Sequence, residues 1–187
     1  MERKYRYVFG PALSRRLGRS LGIDVVPFKT CTYDCIYCQL GDTTRRTVER
    51  AEYVPLDDVL AEVRQKFDEG VAADHVSIVG SGEPTLYSRL GELITGIKAI
   101  CGVPVVVIPH GSLLWRADVR DDLQGADIVV PSLDAGDSET FMRVNRPDSA
   151  IDFVTMVQGL VAFRREFSGR IWLEVFLLAG ITSDEAA

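Results

Sequence analysis

Apolar residues recur along the chain in two alternating patterns. Short runs rich in Val and Ile at 21–28 (LGIDVVPF), 75–79, 103–109, 127–132 and 171–178 predict strands. Between them lie helical periods. Residues 55–69 place Leu56, Leu60, Val63 and Phe67 at i, i+4, i+7 and i+11. Pro55 opens that stretch, where a missing N–H costs nothing, and Gly70 closes it. Residues 88–101 align Leu90, Ile94, Ile97 and Cys101 in the same way. A short helix is predicted at 116–123, and a long one at 151–167 closed by Gly169. Residues 39–54 follow neither period and predict an irregular loop carrying Arg45 and Arg46. Strands alternating with helices predict βαβ units and a parallel sheet. Near-continuous runs such as VVVI and DIVV predict strands covered on both faces.

With 187 residues, 47% hydrophobic and 26% charged, the chain has the size and composition of one globular domain. Disorder, collagen and coiled coil are excluded as the main architecture. The longest apolar stretches fall short of the ~18 residues a membrane span needs. The start, MERKYRYVFG, lacks the apolar core of a secretory signal, so the chain reads as cytoplasmic. The end carries a different signal. Thr182-Ser183-Asp184-Glu185 matches a capping box that should open a helix, yet the sequence stops at Ala187. The expectation is a chain cut short at its C-terminus, with a sheet edge left open to pair as a homodimer.

The net charge of −6 is unevenly spread. Residues 1–50 hold ten Lys and Arg against five Asp and Glu; the remaining residues hold eleven against twenty-two. A basic segment on an acidic body suggests a local anionic ligand, or arginines paired with that body. The cysteines sharpen the first reading. Cys31, Cys35 and Cys38 form a C-x3-C-x2-C run directly after the first predicted strand. Three thiolates on one loop can hold three corners of an iron–sulfur cubane, which ordinarily takes four cysteines, so one iron stays open. Structural zinc prefers four closed ligands. Cys101 lies on the apolar stripe of its helix and reads as a small core hydrophobe.

The run CTYDCIYC resembles the signature of the radical S-adenosylmethionine (SAM) superfamily, including the aromatic Tyr37 before the last cysteine. The stretch 9–41 resembles a subgroup of small radical SAM proteins of unclear substrate, with nitrogenase cofactor-assembly and wybutosine-type enzymes as more distant relatives. The resemblance covers nearly the whole chain, so residues 1–187 read as one radical SAM core domain. It implies an α/β fold, a partial (βα)6-type TIM-like barrel of which at least five βα units are seen here. It further implies a [4Fe–4S] cluster on Cys31, Cys35 and Cys38, with SAM chelating the open iron. The expected activity is reductive cleavage of SAM to a 5′-deoxyadenosyl radical, fed by reduced ferredoxin or flavodoxin. Lys29 and the Arg15, Arg16, Arg19 group are candidate counter-charges.

Further segments fall at successive strand ends, where α/β folds place ligands. Gly80-Ser81-Gly82-Glu83-Pro84 resembles the family's G-G-E-P turn with Ser81 for the first Gly; Ser81, Gly82, Glu83 and Pro84 are thereby expected near the SAM ammonium. Pro131-Ser132-Leu133-Asp134-Ala135 resembles a P-S-L-D-A segment, and Ser132 and Asp134, two apart on an extended strand, are expected to meet the ribose. His110 stands where relatives carry Asn; it could donate to SAM or substrate or only pack at the strand end, and packing is the favoured role. Arg143 and Arg146, in R-x-N-R-P, could grip an anion or tie a loop down, and Glu174 is a lone charge in the last strand. Catalytic residues and substrate are left open. Two other readings stand beside the enzyme: a non-enzymatic iron–sulfur or zinc electron-transfer module, and a radical activase of a protein partner.

Overall fold

The chain begins its sheet with a hairpin whose first strand carries almost no hydrophobic pattern. β1 (Val8–Ser14) runs antiparallel to β2 (Gly18–Ile23), and most of β1 is exposed. A computed structural model describes residues 5–183. Two short strands follow, β3 (Thr30–Cys31) and β4 (Arg45–Arg46), paired parallel to each other apart from the main sheet. Then α1 (Leu56–Asp68), β5 (His75–Ile78), a 3-10 turn at Pro84–Leu86, α2 (Leu90–Ile100), β6 (Val105–Val107), α3 (Ala117–Leu123) and β7 (Ile128–Val129) alternate. The chain continues through α4 (Ser138–Val144), α5 (Phe153–Glu166) and β8 (Arg170–Ile171). The main sheet has the order β1-β2-β5-β6-β7-β8, and every pairing after the hairpin is parallel. This is the expected α/β open sheet, a partial barrel.

Burial on both faces explains the unbroken apolar strands. Val105 and Val107 face the large core with α2 residues Leu93, Ile94 and Ile97. Val106, between them, turns to a second cluster with Leu17, Ile128 and Val130. That is strand alternation with an apolar neighbour on each side. Leu93, Ile94 and Ile97 have no exposed surface, and each such burial contributes about 1.5–3 kcal/mol.

Four expectations need correcting. The first strand ends at Ile23, not at 28: Asp24 N still donates to Tyr7 O at 2.9 Å, but Pro27, three residues on, has no N–H to carry a ladder further. The sheet is not wholly parallel, since β1 adds an antiparallel edge. The ladder at 171–178 covers only Arg170–Ile171 and resumes as a single bridge between Ser132 and Glu174. The helix α4 was not expected: it has seven residues, and Asp137 caps it by accepting from Thr140 N at 2.8 Å. Thr182 sits in a turn, where its hydroxyl accepts from Leu178 N; Asp184 and Glu185, which complete the capping box, lie outside the described residues.

Candidate cluster and nucleotide site

The site is assembled where three chain segments cross. Between β2 and β3 the backbone turns sharply, with Lys29 in the left-handed region at φ 57°. Lys29 N donates to Ser81 O at 2.7 Å, and Glu83 N donates to Thr30 O at 3.1 Å. The cysteine segment is thereby laced to the Gly80–Pro84 turn. Gly82 is required there by space: a Cβ on it would stand 1.9 Å from the Thr30 carbonyl oxygen. Gly82→Ala is therefore expected to lower unfolding stability by about 1–3 kcal/mol, read as a lower urea midpoint. Asp24 holds the same turn by accepting from Ser81 N and Oγ at 3.1 and 2.6 Å.

The far side of the cysteine loop is held by the R-x-N-R-P segment, which spans the C-terminal end of α4. Asp34 N donates to Asn145 O, Ile36 N to Val144 O, and Asp148 N to Thr32 O at 3.0, 2.9 and 2.8 Å. Main-chain bonds thus tie the loop down. Arg143 and Arg146 are exposed, and Arg146 lies 3.7 Å from Asp34.

Cys31, Cys35 and Cys38 are free thiols, all half-buried. They line one cavity of about 320 Å³ together with Lys29, Tyr33, Tyr37, Ser81, Gly82, His110, Ser132 and Phe176. Among the described residues, no three His, Cys, Asp or Glu side chains close on a single ion. The three cysteines line this one cavity, as ligands to separate irons of one cluster must. Each sulfur also has a nitrogen beside it. Lys29 Nζ is 3.1 Å from Cys38 Sγ, His110 Nε2 is 3.2 Å from Cys31 Sγ, and Asn145 Nδ2 is 3.5 Å from Cys35 Sγ. This donor set and cavity fit an anionic iron–sulfur group. Burial pushes the Cys35 thiol pKa up, opposed by His110 and by hydrogen bonds from Asn145 and Tyr37.

Glu83 lies behind the cavity wall, with no exposed surface. Its carboxylate accepts from Thr85 N, Thr85 Oγ1 and His110 N at 2.9, 2.5 and 2.9 Å, and stands 3.0 Å from His110 Nε2. Burial alone would raise its pKa, but the His110 charge and these donors hold it below the usual range. Burial would likewise lower His110, yet Glu83 and Cys31 keep its pKa well above the ordinary value. His110 lines the cavity, stacks on Tyr33 at 4.1 Å and reaches Cys31 Sγ at 3.2 Å.

Ser132 and Asp134 part company. Ser132 lines the cavity, whereas Asp134 is buried behind it. Asp134 accepts from Tyr37 Oη, from Phe176 N at 2.9 Å and from Asn145 Nδ2 at 3.4 Å. Pairing continues past β7 through the bridge at Ser132, with Leu133 N donating to Glu174 O at 2.9 Å, and Asp134 follows directly after it. Tyr37 in turn stacks on Phe176 at 4.3 Å. Burial, with Cys35 and Asp134 nearby, keeps its hydroxyl protonated well above the usual range. Pro84 is buried in the 3-10 turn, not on the cavity wall.

The basic hairpin serves the acidic body. Arg19 pairs with Asp74 at 2.9 Å and Arg16 with Glu174, which gives that lone acid its partner. Cys101 caps α2 away from the cavity, its Sγ 3.5 Å from Ile97 O. The sequence reading singled out neither Asn145, Asp24 nor Phe176. Asn145 sits inside a segment whose arginines drew attention, and the other two have no local pattern.

Residues 25–187 match the family described as the Radical SAM superfamily. A Brachyspira hyodysenteriae protein named GTPase Obg is 48% identical over 182 residues, covering 97% of this chain and 27% of its own. A UPF0026 protein of Methanocaldococcus jannaschii is 35% identical over 179 residues, covering 95% of this chain and 56% of its own. The chain thus spans about half or less of the length of these relatives. Among solved structures, TYW1 with a lysine-pyruvate adduct bound superposes with a TM-score of 0.60 at 23% identity. That likeness covers 90% of this chain and 59% of TYW1 and concerns the fold.

Proposed function

The chain belongs to the radical SAM superfamily, whose enzymes use a [4Fe–4S] cluster and SAM, and on that footing we propose that it is the core of an enzyme that reductively cleaves SAM and passes the radical to a further substrate. One observation supports this most. The three cysteines, the Gly80–Gly82 turn and Ser132 line a single cavity. A cluster held by Cys31, Cys35 and Cys38 and reduced by an external one-electron donor would supply the electron for splitting a SAM carbon–sulfur bond, with methionine as the other product.

The chain's own residues supply position and exclusion of water. Cys31, Cys35 and Cys38 bind the cluster, and the Lys29 side chain, 3% exposed as a residue, balances its negative charge. Ser81, its hydroxyl already donating to Asp24, presents its remaining acceptor capacity and the Gly-rich backbone to the SAM ammonium. Ser132 faces the ribose. Glu83 and Asp134 act as positioning residues: Glu83 fixes His110 and the 3-10 turn, and Asp134 fixes Tyr37 against Phe176. Tyr37 and Phe176 together close one wall. Ferredoxin or flavodoxin is the proposed electron donor.

Anaerobically reconstituted protein with dithionite and SAM is expected to release 5′-deoxyadenosine, measured by liquid chromatography. Ser132→Ala should weaken SAM binding by about 1 kcal/mol, the scale of one neutral hydrogen bond. Full cluster loading with no 5′-deoxyadenosine and no SAM binding would overturn the proposal.

A further inference from the structure

Three nitrogens from three separate elements reach the three cysteine sulfurs, one apiece. Lys29 comes from the left-handed turn before β3, His110 from the segment after β6, and Asn145 from the C-terminal cap of α4. Lys29 and Asn145 are 3% exposed, although both side chains are polar. Burying a lysine amino group or an amide is costly unless it meets a partner. Here the partners include the cysteine sulfurs, and for Asn145 also Tyr37 Oη and Asp134 Oδ2, each at 3.4 Å.

We propose that Lys29, His110 and Asn145 form a donor shell that raises the reduction potential of the cluster held by Cys31, Cys35 and Cys38. The proposal rests on the cluster assignment made above. Reduction adds one negative charge to the cluster and spreads it over the sulfurs. A hydrogen bond or a positive charge at a sulfur therefore stabilises the reduced form more than the oxidised form. Lys29 brings a full charge and has the largest effect. Asn145 brings a neutral dipole at a longer distance and has a smaller one. The shell would let a moderate biological reductant reach a cluster that the acidic body, net negative beyond residue 50, pushes toward lower potential.

The test uses Lys29→Met and Asn145→Leu, which keep side-chain length or volume and remove the donor. His110 is left in place because it also faces Glu83. Each protein is reconstituted anaerobically, its iron counted, and its cluster titrated against redox mediators by visible absorption. At one fixed applied potential, Lys29→Met should show at least a tenfold lower reduced-to-oxidised ratio than the parent, about 59 mV for one electron. Asn145→Leu should show about a threefold lower ratio, on the scale of a single neutral donor. Fully loaded variants whose ratios stay within about twofold of the parent would overturn the proposal. So would folded variants that both lose the cluster, because the residues would then build the loop and not tune it. A parent protein that takes up no iron would instead overturn the cluster assignment itself.

Discussion

Replacing Cys31, Cys35 or Cys38 with alanine, one at a time, is expected to abolish cluster assembly, while Cys101→Ala retains it. The parent should take up about four irons per chain on anaerobic reconstitution with iron and sulfide. The asymmetry follows from placement. The three cysteines line one cavity, and Cys101 lies at the end of α2 with its Sγ against its own helix carbonyl. With only three protein ligands, the cluster has no spare cysteine to recruit. A single loss leaves two corners held, and the effect should be close to complete. Iron analysis and the broad visible absorption of the cluster read the outcome. Equal iron in Cys35→Ala and the parent would remove the basis of the assignment.

Glu83→Ala is expected to destabilise the fold by about 3–5 kcal/mol, the range for removing one partner of a buried ion pair. The carboxylate has no exposed surface and serves His110 N, Thr85 N and Thr85 Oγ1. Removal leaves those donors, and His110 beside them, in a dry site. Glu83→Gln should recover part of the loss, since the amide oxygen still accepts. The pH dependence has a definite sign. The carboxyl is held below its ordinary range in the folded chain. Its contribution is therefore complete above the unfolded value of about 4.3 and disappears as pH falls through the depressed folded value. Urea unfolding at pH 7 and in acid checks both points. A Glu83→Ala midpoint equal to the parent's at neutral pH would contradict this role.

The central strands and helices were legible because each carries its period locally. VVV at 105–107 alternates between two apolar clusters, and α1 buries Leu56, Val59 and Val63 with Leu60 half-buried beside them. β1 was not legible, because a mostly exposed strand broken by Gly-Pro has no hydrophobic signature. α4 was missed because seven residues anchored by Phe141 and Val144 give too short a stripe. At the site, the cysteine loop announced itself through spacing. Its supports did not: Asn145 meets Cys35 across 110 residues and Phe176 stacks on Tyr37 from the far end of the sheet. Asp134 lies just past the last bridged residue of its strand, and its carboxylate meets Tyr37, Phe176 and Asn145 from segments that no local pattern announces. The arginines of the hairpin show the limit of charge counting, because Arg16 and Arg19 find carboxylates on the same chain.

Electron paramagnetic resonance of the reconstituted, dithionite-reduced protein with and without SAM asks whether one cavity holds a three-cysteine cluster and SAM in contact. A reduced-cluster signal is expected whose shape changes when SAM is added, with no such signal in Cys38→Ala. A full cluster with a spectrum indifferent to saturating SAM would contradict that contact, because the iron left open by three cysteines would then not be meeting SAM.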